Sequence, residues 1–410
     1  MTETILENAR TTPVVGHYDL CVAGGGPAGF ATALAAARNG KKVCLLENAG
    51  CLGGIWTAGQ LAWFIDYKNK TGLIQDIIRK LEERGARGAN PDGTPNSAFD
   101  VEALKDLLDT MALEAGIEVH LYSRVTAAVT EGHILKCAVT ESKSGRQAFA
   151  ADFFADCTGD GDLGALAGNG FDFGSPIDGS TQPMSMTAMV TGINLQDVKE
   201  FLRPTNATTP WAPPKERLRA VMESGGASPS YHFPTLMPVH EDLFLLQTNH
   251  EYGFKAYSEQ DLTKATIHGR HELNQLVAAL RRAGGIWKNI RLVATPAFIG
   301  VREGRRLHGK YTLTRQDLID GKAFEDAVCH PTAGFDVHST DPGKNKGIAT
   351  QPVYAKPYDI PLRSLMAADI DNLFMAGRCI SGDFYAHSSY RMTGNAVTMG
   401  EALGKYIASL

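Results

Sequence analysis

One stretch, Tyr18 to Glu47, constrains the fold more than any other. A short apolar run, Leu20 to Ala23, leads into Gly24-x-Gly26-x-x-Gly29. An alanine-rich segment without a breaker follows as far as Asn39-Gly40, and a second apolar run, Val43 to Leu46, ends on Glu47. That order predicts strand, tight turn, helix and parallel strand. Gly24 serves the turn, Gly26 lets a pyrophosphate approach the backbone, and Gly29 allows close helix-on-strand packing, while the positive helix end of Pro27 and Ala28 faces the phosphates. Glu47 follows Gly29 by eighteen residues, so it falls at the tip of the second strand and can accept both hydroxyls of an adenosine ribose. A bare GxGxxG says little, but strand before, helix after and acid at this distance together specify a dinucleotide site. An acid in place of a base at that tip disfavours a 2′-phosphate, leaving FAD or NAD rather than NADP.

With 410 residues, 43% hydrophobic and 21% charged, the chain can bury two structural domains. A formal net charge of −5 offers no basic field for nucleic acid. No run reaches the length of a membrane span, and the N-terminal stretch lacks the blocks of a signal peptide, so a cytoplasmic setting is expected. Seven cysteines without a CxxC or Cys/His ligand spacing argue against a disulfide framework, a zinc site or an iron–sulfur cluster, and no metal is expected.

Residues 1–16 read as a loose arm. After Glu47 and Asn48, Gly53-Gly54 either brings backbone close to the ligand, with Trp56 and Thr57 beside it, or forms a turn needing positive φ. Residues 71–85 and 100–115 read as amphipathic helices. Strands follow at 118–122 and 124–129, the latter carrying Val125 toward the cofactor, and 134–141 and 146–154 form a hairpin. The apolar strand ending in Thr158-Gly159-Asp160-Gly161 puts free amides at the carboxyl edge of the sheet, where ligands of open α/β sheets bind. From about 171 the texture changes, with strands at 184–193 and 243–248 and helices at 215–223 and 259–283. The proline-rich 204–214 reads equally as a lid or a rigid connector, and the Asn206-Ala-Thr208 glycosylation spacing as chance. A strand at 291–299 precedes Arg302-Glu-Gly-Arg-Arg306, an internal ion-pair cluster or an anion clamp. Asp336 and His338 alternate, so an extended backbone points both to one face, a spacing that suits an oriented imidazole. The last apolar strand, 372–377, runs into polar loops and a final helix, 396–410, whose positive end stabilises anionic charge.

The conjunction of GGGPAG (24–29), CLGGIWTAG (51–59), DCTGDGDL (156–163), REGRR (302–306), FDVH (335–338) and DNLFMAGRCIS (371–381) resembles bacterial FAD-dependent oxidoreductases of the two-dinucleotide-binding-domain superfamily. The C-terminal part is distantly similar to fumarate reductase and succinate dehydrogenase flavoproteins. There, a loop places an arginine against the substrate carboxylate and a helix start against the flavin. His387, Arg391, Gly394 and Asn395 fall on that pattern, whereas Arg378 stands where those proteins carry an acid, making Asp383 the candidate ribityl partner. The resemblance implies an α/β fold: a Rossmann-like FAD domain of the glutathione-reductase type (1–170 and 331–410) with an inserted α+β substrate domain (171–330). It implies FAD contacts from the residues already named, and from Gly377, Arg378, Asp383, Gly394 and Asn395. The expected activity is hydride transfer between a small polar organic substrate and the flavin. His338 or His387 serves as acid/base, Arg391 and Arg363 fix an anionic or polar group, and Tyr385 is a secondary donor. A covalent flavin link through Cys379 or His387 is compatible with the sequence. The alternatives are an electron-transfer subunit acting with a redox partner, a flavin monooxygenase, or an NAD site. A homodimer is left open.

Overall fold

The computed structural model describes residues 4–203, 210–349 and 351–410. Most of the proline-rich stretch and the Asn206-Ala-Thr208 triplet lie outside the described residues. The organising sheet runs β5 (Glu118–His120), β2 (Val43–Leu46), β1 (Val14–Ala23), β8 (Gly145–Asp156) and β17 (Leu373–Met375), all parallel. The outer half of β8 pairs antiparallel with β7 (Ile134–Ser142), the hairpin expected from the sequence, and β7 pairs antiparallel in turn with β6 (Arg124–Glu131). The α/β class is therefore as predicted. The loose arm is shorter than predicted, because Val14 already pairs with Ala148.

Helix α1 (Pro27–Arg38) and the last helix, α9 (Thr393–Ala408), lie against each other. A Cβ on Gly400 or Gly404 would run into the carbonyls of Ala28 and Thr32, so these glycines let the two backbones touch. This seam brings the two ends of the chain together. Helices α2 (Leu73–Glu83) and α3 (Val101–Glu114) bury the predicted apolar faces, and Asp100 caps α3 by accepting from Glu102 N at 2.8 Å and Ala103 N at 3.1 Å. A short hairpin, β3 (Arg87–Ala89) with β4 (Pro95–Phe99), lies between them in the chain.

A second, antiparallel sheet runs β11 (Thr235–Pro238), β12 (Leu243–Gln247), β10 (Thr187–Thr191) and β13 (Arg291–Ala294). Its residues alternate between two cores. Ala188, Val190, Leu236, Phe244 and Leu246 join a second core with helices α5 (Ala212–Ser224) and α6 (Glu259–Ala283), while Met189, Met237 and Leu245 join the core of the first sheet. The residues of the second core run from Met184 to Ile299, within the 171–330 span, whereas Leu307, Leu313 and Leu318 belong to the first core. β13 stops at Ala294 instead of Ile299: Pro296 cannot donate to a ladder, and Ala297 N–H turns to Ala58 O at 3.0 Å.

Short pairs tie the remaining segments down: β9 (Phe171–Asp172) with β14 (Arg306–Leu307), and β15 (Ala327–Cys329) with β16 (Ile360–Pro361). Helices α4 (Asp162–Leu166) and α7 (Arg315–Asp320) are brief. Helix α8 (Phe384–Tyr390) stands where the sequence suggested a polar loop. Among the described residues, no helix is long and apolar enough to cross a membrane.

Candidate active site

The first turns of α1 and α9 open into one cavity of about 1450 Å³, larger than an ordinary small-molecule pocket. At one end its wall is mostly backbone. Gly24 has φ +96°, and a Cβ there would strike the Cys157 carbonyl; at Gly29 it would strike the Gly24 carbonyl. Gly26 is different: a Cβ on it would meet no protein atom nearer than Gly54 Cα at 4.0 Å, so the space it keeps clear belongs to the cavity. Phe30 N–H is the first to reach a helical carbonyl, Gly26 O at 2.9 Å, leaving the amides of Ala28 and Gly29 without an intrahelical partner. Glu47 is buried and accepts Gly25 N–H and Ala49 N–H, each at 2.6 Å. Each oxygen keeps a second lone pair for a hydroxyl. Burial raises this carboxyl, and the amide bonds only partly compensate. At the end of β8, Asp156 folds the Thr158–Gly159 turn by accepting from Thr158 N at 3.0 Å, Thr158 Oγ1 at 2.8 Å and Gly164 N at 2.8 Å; burial pushes it up to about 6.

The other end is built from side chains. Asp336 and His338 do share a face: Asp336 Oδ2 lies 3.4 Å from His338 Nε2 and accepts from Arg391 Nη2 at 2.8 Å. Gln182 Oε1 holds the His338 amide at 3.0 Å. Burial first, then the Arg302 charge, bring His338 down to about 4, with Asp336 pulling the other way. Burial would raise Asp336, but His338, Arg391 and Arg302 outweigh it and hold it well below the usual carboxylate range. The imidazole is thus neutral beside an ionised carboxylate at neutral pH. Arg302 donates to Pro183 O at 2.6 Å and Ser185 Oγ at 2.8 Å, while Glu303 and Arg306 make a buried pair at 2.7 Å. The predicted cluster in 302–306 is therefore partly an internal ion pair and partly cavity wall. Tyr231 packs at a tilt on His250 with ring centres 4.2 Å apart, and His250 meets His338 edge to face at 4.8 Å. In the second sheet Gln247 pairs with both Thr187 and Thr235, making a polar row on the wall.

Of the cofactor contacts expected from sequence, Gly24, Gly26, Pro27, Ala28, Glu47, Asn48, Gly54, Val125, Thr158, Gly159, Gly377 and Arg378 line the cavity. Gly29 and Gly53 support it from behind, Gly53 with φ +100°. Asp383 does not reach it: its carboxylate accepts Tyr385 N at 2.9 Å, Ala386 N at 2.7 Å and Arg315 N at 2.6 Å, capping α8. Gly394 and Asn395 lie behind the wall, Gly394 N–H on Ile65 O at 2.9 Å, and Met392, Thr393 and Ala396 take their place at the cavity. Among the expected substrate-handling residues, His338 and Arg391 come together on the wall and the others do not. Arg363 is exposed and paired with Asp326 at 3.0 Å, and Tyr385 packs under the Arg315 guanidinium at 4.5 Å. His387 is fully buried against Tyr390, and burial drives it well below its ordinary value. Cys379 is sealed too, its Sγ donating to Asp156 O at 3.3 Å, so neither link residue faces the cavity. Sequence reasoning missed Lys215, Tyr231, His250 and the Thr187–Gln247–Thr235 row, none of which belongs to a motif. Glu251, His268 and Glu272 bring ligand atoms within 4.8 Å of one another, but Asn249, Ser230 and His268 itself already occupy these carboxylates.

Residues 19–410 match the family described as FAD dependent oxidoreductase. A urocanate reductase of Eggerthella lenta is 32% identical over 109 residues, which span 26% of this chain and 18% of that enzyme. Similar solved structures include the myxobacterial chondrochloren halogenase, a FAD-dependent halogenase (12% identity, 93% of this chain and 72% of that one, TM-score 0.49). Another is a geranylgeranyl bacteriochlorophyll reductase-like protein from Thermoplasma acidophilum (14% identity, 96% and 77%, TM-score 0.46).

Proposed function

The chain belongs to the FAD-dependent oxidoreductase family, and from that premise we propose that it oxidises or reduces a small polar organic substrate held against the Arg302, Asp336, His338 and Arg391 wall. FAD is its cofactor, and the cradle fits it: the clear space beside Gly26, the free amides at the start of α1 and the second lone pairs of Glu47 are what a pyrophosphate and a ribose require. When bound, FAD supplies the two-electron redox chemistry. The observation that carries the reading is the continuity of that cradle with the charged wall in one cavity.

The protein's own part is orientation and proton handling. His338, neutral at pH 7, is ready to accept a proton from substrate at a ring nitrogen. Asp336 stabilises the imidazolium so formed, and Arg391 fixes Asp336 in place. Seven free cysteines, most of them buried, support a reducing compartment and hence the cytoplasm.

The test is anaerobic mixing of purified holoenzyme with hydroxy acids, amines, sugars and unsaturated acids, urocanate included, while flavin absorbance is followed. Bleaching by one class, or reoxidation of the reduced enzyme by one, supports the reading. Rapid bleaching by NAD(P)H with none of these compounds active would favour a monooxygenase instead.

A further inference from the structure

Two buried cations on this wall make no ion pair among the described residues. Lys215, in the first turn of α5, is 7% exposed, and its Nζ sits 4.9 Å from the centre of the Trp211 ring. Among the described residues it has no hydrogen bond and no ion pair. Arg302, 8% exposed, reaches among the described residues only the neutral acceptors Pro183 O and Ser185 Oγ. The acid of this wall, Asp336, is already paired with Arg391 at 2.8 Å.

A charge taken out of water without a counter-charge is strongly unfavourable, so an unpaired buried cation needs a reason. The surroundings of Lys215 give little relief. It stands at the positive end of a thirteen-residue helix, and burial together with Arg203 brings it down to about 7 while Asp336 pulls weakly the other way. Both cations line the same cavity, along with the flat or apolar side chains of Trp211, Tyr231, Met237 and Ile348. Lys215, Trp211 and Tyr231 belong to the second sheet's layer, not to the glycine cradle, so the missing anion is expected from a second molecule beside the cofactor.

We propose that Lys215 and Arg302 together bind the carboxylate of the substrate, which makes the substrate class an organic acid carried on a flat apolar frame. This rests on the reading of the cavity as the substrate pocket of a flavin enzyme. Two charge-assisted contacts from separate segments fix the acid end, and the aromatic and aliphatic wall takes the frame.

The experiment titrates the oxidised holoenzyme with sodium benzoate, with benzamide and inorganic phosphate as controls, and reads the flavin absorption spectrum. Benzoate is expected to perturb the spectrum saturably while benzamide and phosphate do not. Lys215→Met is expected to weaken benzoate about thirtyfold with flavin content per protein unchanged. Lys215→Arg is expected to keep more of the affinity than Lys215→Met. Equal binding of benzamide, tighter binding of phosphate, no response to benzoate, or a Lys215→Met variant that binds benzoate normally would overturn the proposal. So would loss of flavin from Lys215→Met, which would assign the lysine to the cofactor. A wild-type protein that takes up no flavin would instead sink the functional reading beneath it. Should the variants fail to fold, the comparison of benzoate with benzamide on the wild type decides alone.

Discussion

At the cofactor end the cavity wall is main chain: glycines placed where a Cβ would collide or would fill the opening, amides left free at a helix start, and one acid whose oxygens organise the loop. At the opposite end it is side chains from segments far apart in sequence, Lys215, Tyr231, Arg302, Asp336 and Arg391, whose charges depend on one another. The first kind of wall tolerates little change in shape but few charges matter to it. The second tolerates shape changes and depends on charge balance.

The sharpest break in that comparison lies within the glycines. Gly29→Ala forces a methyl into the Gly24 carbonyl and is expected to cost about 3 kcal/mol and to abolish flavin binding, measured by denaturant unfolding and by absorbance per protein. Gly26→Ala adds a Cβ that meets no protein atom nearer than 4.0 Å, so flavin is expected to be lost while the apoprotein unfolds within about 1 kcal/mol of the parent. If both variants lose stability equally, Gly26 is a packing residue and the cradle is misread.

At the other end, Asp336→Asn keeps the shape and removes the charge that supports His338 and Arg391. Substrate-driven flavin reduction is expected to fall about a hundredfold with flavin content intact, read by stopped flow. A variant that loses flavin instead would erase the distinction between the two ends.

Lys215→Met gives a smaller effect with a definite pH signature. The lysine's folded pKa, about 7, lies below its unfolded value, so the unfolded chain binds the extra proton. Its penalty is complete below pH 7 and fades as pH rises toward 10. The variant is therefore expected to be more stable than the parent at pH 6, by at most about 5 kcal/mol, a gain that shrinks toward zero near pH 10 in urea titrations of the ligand-free protein. A gain independent of pH would mean that the ammonium is not the source. The smallest effect is expected of Arg363→Ala, which touches an exposed ion pair outside the cavity; flavin reduction should stay within about twofold.

How much of this was legible in the sequence follows the same division. The cradle could be read because its chemistry is local: a strand, three glycines and an acid at fixed spacing determine one another within thirty residues. Helix α6 was equally legible, because Ser258 caps a periodic run of leucines through to Gly284. Helix α8 was not: Phe384–Tyr390 buries His387, Ser388 and Ser389, so it carries no polar and apolar periodicity, and its cap Asp383 was taken for a ligand group. Asp336 and His338 were found because an extended backbone fixes which residues share a face, whereas Arg363 was misplaced because its partner, Asp326, lies in another segment. Lys215, Tyr231 and the Thr187–Gln247–Thr235 row meet only through the register of the second sheet and the packing of α5, which no local pattern encodes.

The central claim is that one cavity, closed by both ends of the chain, holds the flavin ring against the charged wall. The crystal structure of the FAD-bound protein tests it directly. The ring is expected within about 4 Å of the first turn of α9 and of Arg302 or Arg391. A ring seated away from α9, with the wall facing solvent, would contradict the account.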